Sequence, residues 1–289
     1  MEAEDLRALP VTEPAAAKLN PFLRVMGRRS DGFHDVETLV QPITLADGIR
    51  AAHRDRGFGL AMTGERAADI DPEDNLVLRA AQALAEAMGE RRGARLIVVK
   101  RIPVAAGLGG GSADAAATLR ALDRLWGWGL GPGGLRDVAA GLGSDVPALL
   151  VGGAVLARGR GDHIEPFRLT KTWWVLLSAP FGISSAEAYG WWDEEEGPTG
   201  PDPSGLLEAL REGDLEAGGR LLFNDLEGPV LRRRPRVAEA RQRLLEAGAL
   251  GAVLCGSGPT VAGLARDGAH ADRLAAEVGG WTVASMDRR

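Results

Sequence analysis

Cysteine is almost absent from this 289-residue sequence, since Cys255 is its only one. No disulfide can form within the chain, so a reducing cytoplasm is the expected compartment. The amino-terminal segment MEAEDLRALP lacks the basic start and the apolar run of a signal peptide. No stretch approaches the roughly 18 uninterrupted apolar residues of a membrane span. We therefore expect neither export nor insertion into a membrane.

Lysine is also scarce, so arginine carries nearly all of the positive charge. The net charge of −6 argues against a general binder of nucleic acid or of membrane surfaces. The oligomeric state, monomer or homodimer, stays open. The chain has three lysines and three asparagines, which are Lys18, Lys100, Lys171, Asn20, Asn75 and Asn224. Lys18 and Asn20 nevertheless lie two residues apart, which marks this segment as a candidate site.

The first half of the chain mixes strand and helix patterns. Residues 17–26 and 36–45 have the closely spaced apolar residues of strands and flank a polar turn. A helix is predicted from Asn75 to Gly89, followed by a strand that stops at Pro103. Further helices are predicted from Ala113 to about Trp126 and from Leu135 to about Leu142, and the segment VGGAVLARGRGD predicts a hairpin.

The pattern changes near residues 166–172, where TWWVLLSAP begins a second unit. Helices are predicted at 206–218 and 235–247, then one strand over GAVLCGSGPTVAGLA, and finally a helix and a strand. The absence of strict βαβ alternation favours the α+β class. Because domains usually have roughly 100–200 residues, we predict two, at 1–168 and 169–289.

A glycine-rich loop between a strand and a helix carries the strongest chemical signal. Its glycines let backbone N–H groups approach an anion without interference from Cβ atoms, and the helix start adds unpaired amide donors and a positive dipole end. The loop therefore fits a triphosphate. Its residues are Pro103, Val104, Ala105, Ala106, Gly107, Leu108, Gly109, Gly110, Gly111, Ser112 and Ala113.

Two common phosphate loops are excluded by the spacing. A P-loop needs a lysine after its last glycine, and this segment has none. A dinucleotide fingerprint needs glycine at its first, third and sixth positions, but Gly107 and Gly109 are followed by Ser112 at the sixth. A glycine-rich turn with a short helix cap is the remaining alternative.

The loop resembles the ATP-binding motif of the GHMP kinases. Residues 17–20, AKLN, resemble the first motif of that family, and residues 256–260, GSGPT, resemble its third. The similarity is strongest to the branch of the family that acts on a cytidylyl methylerythritol in non-mevalonate isoprenoid biosynthesis. It extends over most of residues 15–165 and in patches to about 265. Ala16 stands where that branch usually has proline, and Phe33 where it usually has tyrosine.

The resemblance implies a two-domain GHMP kinase fold, with a nucleotide-binding amino-terminal domain and a ferredoxin-like carboxy-terminal domain. It implies phosphorylation of the 2-hydroxyl of a cytidylyl methylerythritol, with ATP and Mg²⁺. A kinase for homoserine or mevalonate is an alternative, but those acceptors have no cytosine for the segment DGFHD to read. A non-catalytic binding protein is a second alternative, against which the joint presence of Lys18, Ser112 and Asp145 argues.

The residues alone leave the role of Asp145 open. The segment GSDVP places its carboxylate in a turn, where a helix cap or a turn aspartate is the ordinary interpretation. The resemblance makes Asp145 the general base. Lys18, which by itself fits an ordinary surface lysine, then keeps that carboxylate ionised and stabilises the developing alkoxide.

The resemblance also assigns binding residues. His34 becomes the reader of the cytosine, with Phe33 and Tyr189 as stacking faces, although a turn histidine and core packing of Tyr189 are alternatives. The resemblance also assigns substrate binding to Asn20, Gly256, Ser257 and Gly258. Asn75 and Lys100 match positions near the adenine and ribose, where a helix cap and a strand-end lysine are alternatives. Ser112 is a candidate Mg²⁺ ligand.

Other conspicuous residues predict no site. Cys255, His53, His163 and His270 have no metal-binding spacing. The tryptophan pairs at 173–174 and 191–192 are interpreted as core or interface residues. The arginine run at 232–234 is interpreted as a solvated face.

Overall fold

The computed structural model describes residues 10–67, 75–195, 197 and 199–286, which divide into two compact units. Unit 1 contains residues 10–17, Leu45–Val104 and Gly109–Val151, and unit 2 contains Lys18–Thr44, Ala105–Leu108 and the chain from Gly152 onward. Each unit combines segments that are distant in sequence. The single boundary near residue 168 stays a prediction.

Within the described residues, unit 1 combines strands with four helices. Its elements are the start of β1 (Val11–Arg28), the end of β2 (His34–Arg54), β3 (Phe58–Thr63), β4 (Gly93–Val99), α1 (Leu76–Met88), α2 (Gly110–Trp126), α3 (Gly131–Leu142) and α4 (Val146–Val151). The end of β2 pairs antiparallel with β4, with Gly48 opposite Val99. Strand β3 runs parallel to β4, with Phe58 opposite Ala94. The four helices pack on one another.

Helix α1 begins and ends as the sequence predicts. The side-chain oxygen of Asn75 accepts a 2.9 Å hydrogen bond from the backbone N–H of Val77, which satisfies a donor that the first turn leaves unpaired. Gly89 ends the helix at a φ of +62°, a conformation that glycine adopts without strain. Buried residues recur at helical spacing and hold α1 on the core; they are Val77, Ala80, Ala81, Leu84 and Ala85.

Unit 2 contains the rest of β1 and β2 and most of the carboxy-terminal half. Its further strands are β5 (Val155–Gly159), β6 (His163–Pro166), β7 (Trp173–Leu177), β8 (Phe223–Asn224), β9 (Gly251–Leu254), β10 (Val261–Ala265) and β11 (Trp281–Ala284). Its helices are α5 (Ser185–Glu194), α6 (Ser204–Glu212), α7 (Leu215–Leu221), α8 (Glu227–Arg233), α9 (Pro235–Glu246) and α10 (Gly268–Val278). The predicted hairpin is confirmed as β5 and β6, and β5 pairs antiparallel with β2.

A four-stranded antiparallel sheet forms the core of the carboxy-terminal part of unit 2. Across the sheet the strands lie in the order β11-β7-β10-β9. With the four strands numbered by their position along the chain, this order is 4-1-3-2. Helices α9 and α10 pack on this sheet, and the side chain of Trp174 is fully buried. A βαββαβ chain with this order is ferredoxin-like. The predicted α+β architecture is therefore confirmed.

Two predicted elements of unit 2 were wrong because each conceals a turn. The helix predicted at 206–218 is broken at Gly213, where φ is +82°, and Asp214 caps the new helix by accepting from Ala217 N–H at 2.9 Å. The strand predicted over GAVLCGSGPTVAGLA is β9 and β10 joined by a turn. Cys255 N–H donates to the Thr260 carbonyl at 2.8 Å across this turn, which needs positive φ at Gly256 and Gly258.

Among the described helices, none is both long and apolar enough to cross a membrane.

Candidate active site

Three segments of unit 2 meet around the side chain of Lys18. Its ammonium donates 2.8 Å hydrogen bonds to the carbonyl of Gly107 and to Oδ1 of Asn20. Its backbone N–H donates to the Leu108 carbonyl at 3.0 Å. A Cβ added to Gly256 would lie 2.8 Å from Lys18 Nζ. The structure thus brings together parts of all three motifs that the sequence singled out.

The Lys18 ammonium is buried and held in one direction. Lys18 is 4% exposed, so the surface-lysine alternative is wrong, and a charge this deeply buried needs fixed acceptors. Asn20 Nδ2 donates to Thr38 Oγ1 at 2.8 Å, and Thr38 Oγ1 donates to the Phe22 carbonyl at 2.7 Å. This chain of donors turns the acceptor oxygen of Asn20 toward Lys18.

The segment Ala105–Leu108 packs directly against the turn that follows β9. Gly107 has a φ of +76°, and a Cβ there would collide with the carbonyl oxygen of Cys255. The backbone N–H of Thr260 donates to the Ala106 carbonyl at 3.3 Å. Glycine is required at 107 both for its backbone conformation and for this close approach.

An asparagine that the sequence analysis left without a role shapes the same turn. Asn224 Nδ2 donates 2.8 Å hydrogen bonds to the carbonyls of Leu254 and Gly256, and its Oδ1 accepts from Leu226 N–H at 2.9 Å. Asparagine occurs only three times in the chain, and this rarity was the sequence signal that could have pointed to Asn224. Cys255 in this turn is fully buried, and burial raises the pKa of its thiol to about 12, so it is unreactive.

In unit 1, the second half of the glycine-rich loop opens helix α2. The helix begins at Gly110, three residues before the predicted start, and follows Gly109 at a φ of +68°. Gly110, Gly111 and Ser112 begin its first turn, and their amide donors have no acceptor within the helix, whereas the Ala113 N–H already donates to the Gly109 carbonyl at 2.8 Å. A Cβ on Gly110 would lie 3.1 Å from Ile102 Cγ2. This helix start has the donors and the dipole that bind an anion.

Lys100 is held by two buried carboxylates next to this helix start. Its ammonium pairs with Asp47 and lies 2.6 Å from Asp114 Oδ2, while Asp47 Oδ1 accepts from the Ile102 N–H at 2.9 Å. The structure favours the strand-end alternative for Lys100, and its contact with a nucleotide stays a prediction. The cap interpretation of Asn75 is confirmed by the hydrogen bond from Val77 described above, and its nucleotide contact likewise stays a prediction.

The ionisable groups of this cluster shift one another's pKa values. Burial raises the pKa of Asp114 to about 7, against the opposing effect of the Lys100 ammonium. Burial alone would lower the pKa of Lys100, but the charges of Asp114 and Asp47 outweigh it and raise that pKa. Asp114 Oδ1 is buried without a hydrogen-bond partner among the described residues. One ammonium thus serves two carboxyl groups.

Asp145 lies where the sequence placed it, in the turn before α4. Its carbonyl accepts from the Leu149 N–H at 3.1 Å, and the residue is half-buried. The turn is confirmed, and the role as a general base stays a prediction.

His34, at the start of β2, is enclosed by residues of α5. Its ring stacks on Tyr189 with centroids 4.7 Å apart and planes 25° apart, and it meets Trp192 edge-on at 5.9 Å. Asp193 Oδ1 lies 2.7 Å from Nε2 of His34. The His34 side chain is only 8% exposed. The imidazole is therefore held in a defined plane, unlike a histidine in an exposed turn.

The two predicted stacking residues differ in their surroundings. Phe33 is 48% exposed, and the guanidinium of Arg160 lies 3.9 Å from its ring centroid. Tyr189 packs against the buried core of unit 2, and His34 covers one of its faces. Core packing of Tyr189 is therefore confirmed, whereas the stacking of a base on either residue stays a prediction.

Two family models match this chain. The model of the GHMP kinases N terminal domain matches residues 75–153, and that of the GHMP kinases C terminal domain matches residues 206–281. The chain belongs to the GHMP kinase family. The amino-terminal match contains the helix start at Gly110 and also Asp145, and the carboxy-terminal match contains the turn after β9.

Relatives of this GHMP kinase are similar over nearly their full length. Proteins named 4-diphosphocytidyl-2-C-methyl-D-erythritol kinase from Pelotomaculum thermopropionicum and Moorella thermoacetica are 46% and 44% identical over 272 residues. The first alignment covers 92% of this chain and 93% of the relative, and the second covers 93% and 94%. A crystal structure of 4-(cytidine 5'-diphospho)-2C-methyl-D-erythritol kinase is 34% identical, with a TM-score of 0.82, over 96% of this chain and 100% of that one.

One further histidine and two tryptophans of this GHMP kinase have structural roles. His270 accepts at Nδ1 from Arg266 N–H at 3.2 Å, and the side chain of Asp267 caps α10 by accepting from the backbone N–H of His270. The described residues contain no group of three or more His, Cys, Asp or Glu that could hold a metal ion. Trp174 and Trp192 are core residues, as the sequence predicted.

The arginine run at 232–234 is not simply a solvated face. Arg233 Nη2 lies 2.8 Å from Glu194 Oε2, and the guanidinium of Arg234 lies 4.8 Å from the ring centroid of Trp191. Both side chains are only partly exposed. The interpretation fits Arg232, whose side chain is 62% exposed, and was wrong for Arg233 and Arg234, because their partners lie on α5, far away in sequence.

Proposed function

We propose that this GHMP kinase transfers the γ-phosphoryl group of ATP to the 2-hydroxyl of 4-diphosphocytidyl-2-C-methyl-D-erythritol, in the synthesis of isopentenyl diphosphate. The observation that carries the kinase assignment is the buried Lys18 ammonium, fixed on the carbonyl of Gly107 beside Gly256. The acceptor is supported by relatives named for it that are 44–46% identical along more than nine-tenths of both chains.

The chemistry requires a base and a stabilised charge. Asp145 would take the proton of the 2-hydroxyl while that oxygen bonds to the γ-phosphorus and ADP leaves with the bridging oxygen. Lys18 would stabilise the charge that develops on the attacking oxygen, because its ammonium is already oriented by the Gly107 carbonyl and Asn20. No reorientation of the lysine would then be needed during the reaction.

The glycine-rich loop would bind the triphosphate. In unit 1, the first-turn amides of α2 would donate to phosphate oxygens, because Gly110 and Gly111 leave this backbone without side chains. In unit 2, Gly107 fixes the preceding part of the loop. Asn75 and Lys100 remain proposed neighbours of the adenine and ribose.

Mg²⁺ would enter with ATP. Mg²⁺ in kinases keeps several waters and is held by one or two protein oxygens together with substrate phosphates. The Ser112 hydroxyl, in the first turn of α2, is the protein donor of suitable chemistry. The ion would neutralise charge on the phosphates.

The cytidine of the acceptor would bind in unit 2. His34 would read the base edge, with Phe33 and Tyr189 as aromatic neighbours, and Asn20, Gly256, Ser257 and Gly258 would contact the rest of the acceptor. We also propose a cytoplasmic location, which the single buried thiol of Cys255 supports.

A transfer assay with three acceptors tests this function. With ATP and Mg²⁺, 4-diphosphocytidyl-2-C-methyl-D-erythritol is expected to be phosphorylated with a much higher kcat/KM than homoserine or mevalonate, and CDP is expected to compete with the acceptor but not with ATP. Efficient transfer to homoserine or mevalonate instead would overturn the acceptor assignment.

A substitution of the base tests the chemistry in the same assay. Asp145→Asn is expected to lower kcat by roughly 10²–10⁴-fold while the Kd for ATP stays nearly unchanged. Asp137→Asn, at an exposed position of α3, is the matched control and should keep parental turnover. If Asp145→Asn turned over within a factor of a few of the parent, Asp145 would not be the base.

A further inference from the structure

One face of helix α5 surrounds the ring of His34. Tyr189, Trp192 and Asp193 occupy positions i, i+3 and i+4 of this helix, which lie on the same side. Tyr189 stacks on the imidazole, Trp192 meets it edge-on, and Asp193 accepts from its edge. The helix start is fixed by Ser184 and Glu187, whose side chains cap it reciprocally. The ring thus has a defined plane and a defined hydrogen bond.

The hydrogen bond to Asp193 assigns the ring proton. An ionised carboxylate can only accept, so Nε2 of His34, 2.7 Å from Asp193 Oδ1, carries the hydrogen. In a neutral imidazole the other nitrogen, Nδ1, is then an acceptor. Arg28 Nη1 lies 3.6 Å from Asp193 Oδ2 and offers positive charge to the second carboxylate oxygen. The contact with Asp193 therefore selects one of the two tautomers.

We propose that Asp193 is a positioning residue which, by holding the Nε2–H tautomer of His34, makes the acceptor site select cytosine over uracil. Cytosine presents an amino donor at its 4-position, where uracil presents a carbonyl acceptor. An imidazole with an acceptor at Nδ1 can accept a hydrogen bond from the amino group of cytosine, whereas it repels the carbonyl oxygen of uracil. The inference rests on the proposed function, because it requires an acceptor whose base is read by His34.

A paired histidine and aspartate can also perform proton transfer, and the two roles differ in what they change. A dyad that moves the proton of the acceptor hydroxyl would affect kcat equally for cytidine and uridine acceptors. A dyad that reads the base would affect the ratio of their kcat/KM values. The imidazole is stacked on Tyr189 and its side chain is only 8% exposed, which favours reading, since reading a base needs only one hydrogen-bonding edge of a fixed ring.

Substitution at two adjacent positions tests the proposal. Asp193→Asn can turn an amide N–H toward Nε2 and so stabilise the other tautomer. In the full-length enzyme, the preference for 4-diphosphocytidyl- over 4-diphosphouridyl-2-C-methyl-D-erythritol is expected to fall by roughly tenfold or more, with kcat for the cytidine acceptor within a factor of a few. Asp193→Glu retains an acceptor-only carboxylate and is expected to keep most of the preference. Glu194→Gln, at an exposed position paired with Arg233, should leave the preference unchanged.

A spectroscopic measurement tests the tautomer without any acceptor. Long-range ¹H–¹⁵N spectra report which ring nitrogen carries the hydrogen, and the chain has only four histidines, so His34→Gln assigns the signal. The parent is expected to show His34 protonated at Nε2 and unprotonated at Nδ1, and Asp193→Asn to show a shift toward Nδ1–H. A parent ring with its hydrogen at Nδ1 would overturn the proposal.

The kinetic outcomes separate this inference from the function on which it rests. A parent that prefers the cytidine acceptor and an Asp193→Asn variant that keeps this preference would refute the role of Asp193 alone. An equal loss of kcat on both acceptors would make the dyad a proton-transfer device and would also refute it. A parent that phosphorylates neither nucleotide would overturn the proposed function, and the inference with it.

Discussion

Lys18 donates a 2.8 Å hydrogen bond from its ammonium to the carbonyl oxygen of Gly107, which lies 89 residues further along the chain. The direction of the lysine and the path of the glycine-rich loop are therefore coupled. A change that displaces the Gly107 peptide removes an acceptor from a buried charge, which is costly.

Gly107→Ala is expected to affect both stability and catalysis. An alanine at positive φ costs roughly 1–2 kcal/mol, and here its Cβ also meets the Cys255 carbonyl. We expect a lower Tm and a loss of kcat of about tenfold or more, since the acceptor of Lys18 moves. Thermal unfolding and initial rates check this.

Gly129→Ala separates the two causes. Gly129 has a φ of +67° with nothing within 4 Å of an added Cβ, so it carries the backbone strain alone. We expect it to lower Tm modestly and to leave kcat intact. Equal effects of the two substitutions would mean that the contact with Cys255 has no consequence.

Gly110→Val is expected to weaken ATP binding specifically. The Cβ of Gly110 already approaches Ile102 Cγ2 at 3.1 Å, so a branched side chain displaces the first turn of α2, whose amides would meet the phosphates. The KM for ATP should rise about tenfold or more, with little change in the acceptor KM. Gly133→Val, in the first turn of α3 with open space around its Cβ, is the control. A rise confined to the acceptor KM would refute the assignment of the glycine-rich loop to ATP binding.

Phe33→Ala tests whether an exposed ring stacks on the base. Phe33 is half-exposed, so its loss should hardly change Tm, whereas base–aromatic stacking is worth roughly 1–3 kcal/mol per contact. The acceptor KM should then rise by about five- to a hundredfold, and the KM for ATP should stay constant. Arg160→Gln, which removes the cation over the ring, shows how much of any change comes from that contact. An unchanged acceptor KM in Phe33→Ala would exclude stacking.

Asp114→Asn is expected to change the pH dependence of stability. Burial raises the pKa of Asp114 to about 7, above its value in an unfolded chain. A raised carboxyl pKa contributes stability that is complete below the unfolded pKa and is lost as pH rises through the folded pKa. The parent should therefore lose stability between about pH 4 and 7 relative to the variant, by at most about 1.4 kcal/mol per pH unit.

Thermal unfolding of the parent and of Asp114→Asn at several pH values checks this. The Tm difference, variant minus parent, should grow from pH 4.5 to pH 7.5 and then level off. Asp137→Asn, exposed on α3, should show no such trend. A difference that shrinks with pH would mean that the Lys100 ammonium, rather than burial, dominates the ionisation of Asp114.

Features that depend on neighbours in sequence could be predicted. The cap at Asn75, the end at Gly89 and the glycine-rich loop are local patterns, and each has the conformation that its residues favour. The failures were local as well. Gly213 was included in a helix, and Gly256 was included in a strand, because glycine alone does not tell an element from a turn.

Features that depend on distant partners could not be predicted. Asn224 joins two carbonyls that lie 30 and 32 residues further along the chain, and Asp193 is 159 residues from His34. Asp47 is 53 residues from the Lys100 ammonium that it binds. Single polar residues carry no sequence pattern that announces such pairings. Motifs predicted the chemistry of the candidate site, and only the fold identified its supporting residues.

The three residues of α5 that enclose His34 face its imidazole only because the helix between Ser184 and Tyr189 has a fixed number of residues. Each residue advances a helix by about 100°, so a single insertion before Tyr189 would turn all three side chains away from the imidazole together. Point substitutions would remove them one at a time, whereas a change of length would remove them at once. Among proteins that use this device, the spacing from the capping serine to the aspartate should therefore vary less than the identity of the residues between them.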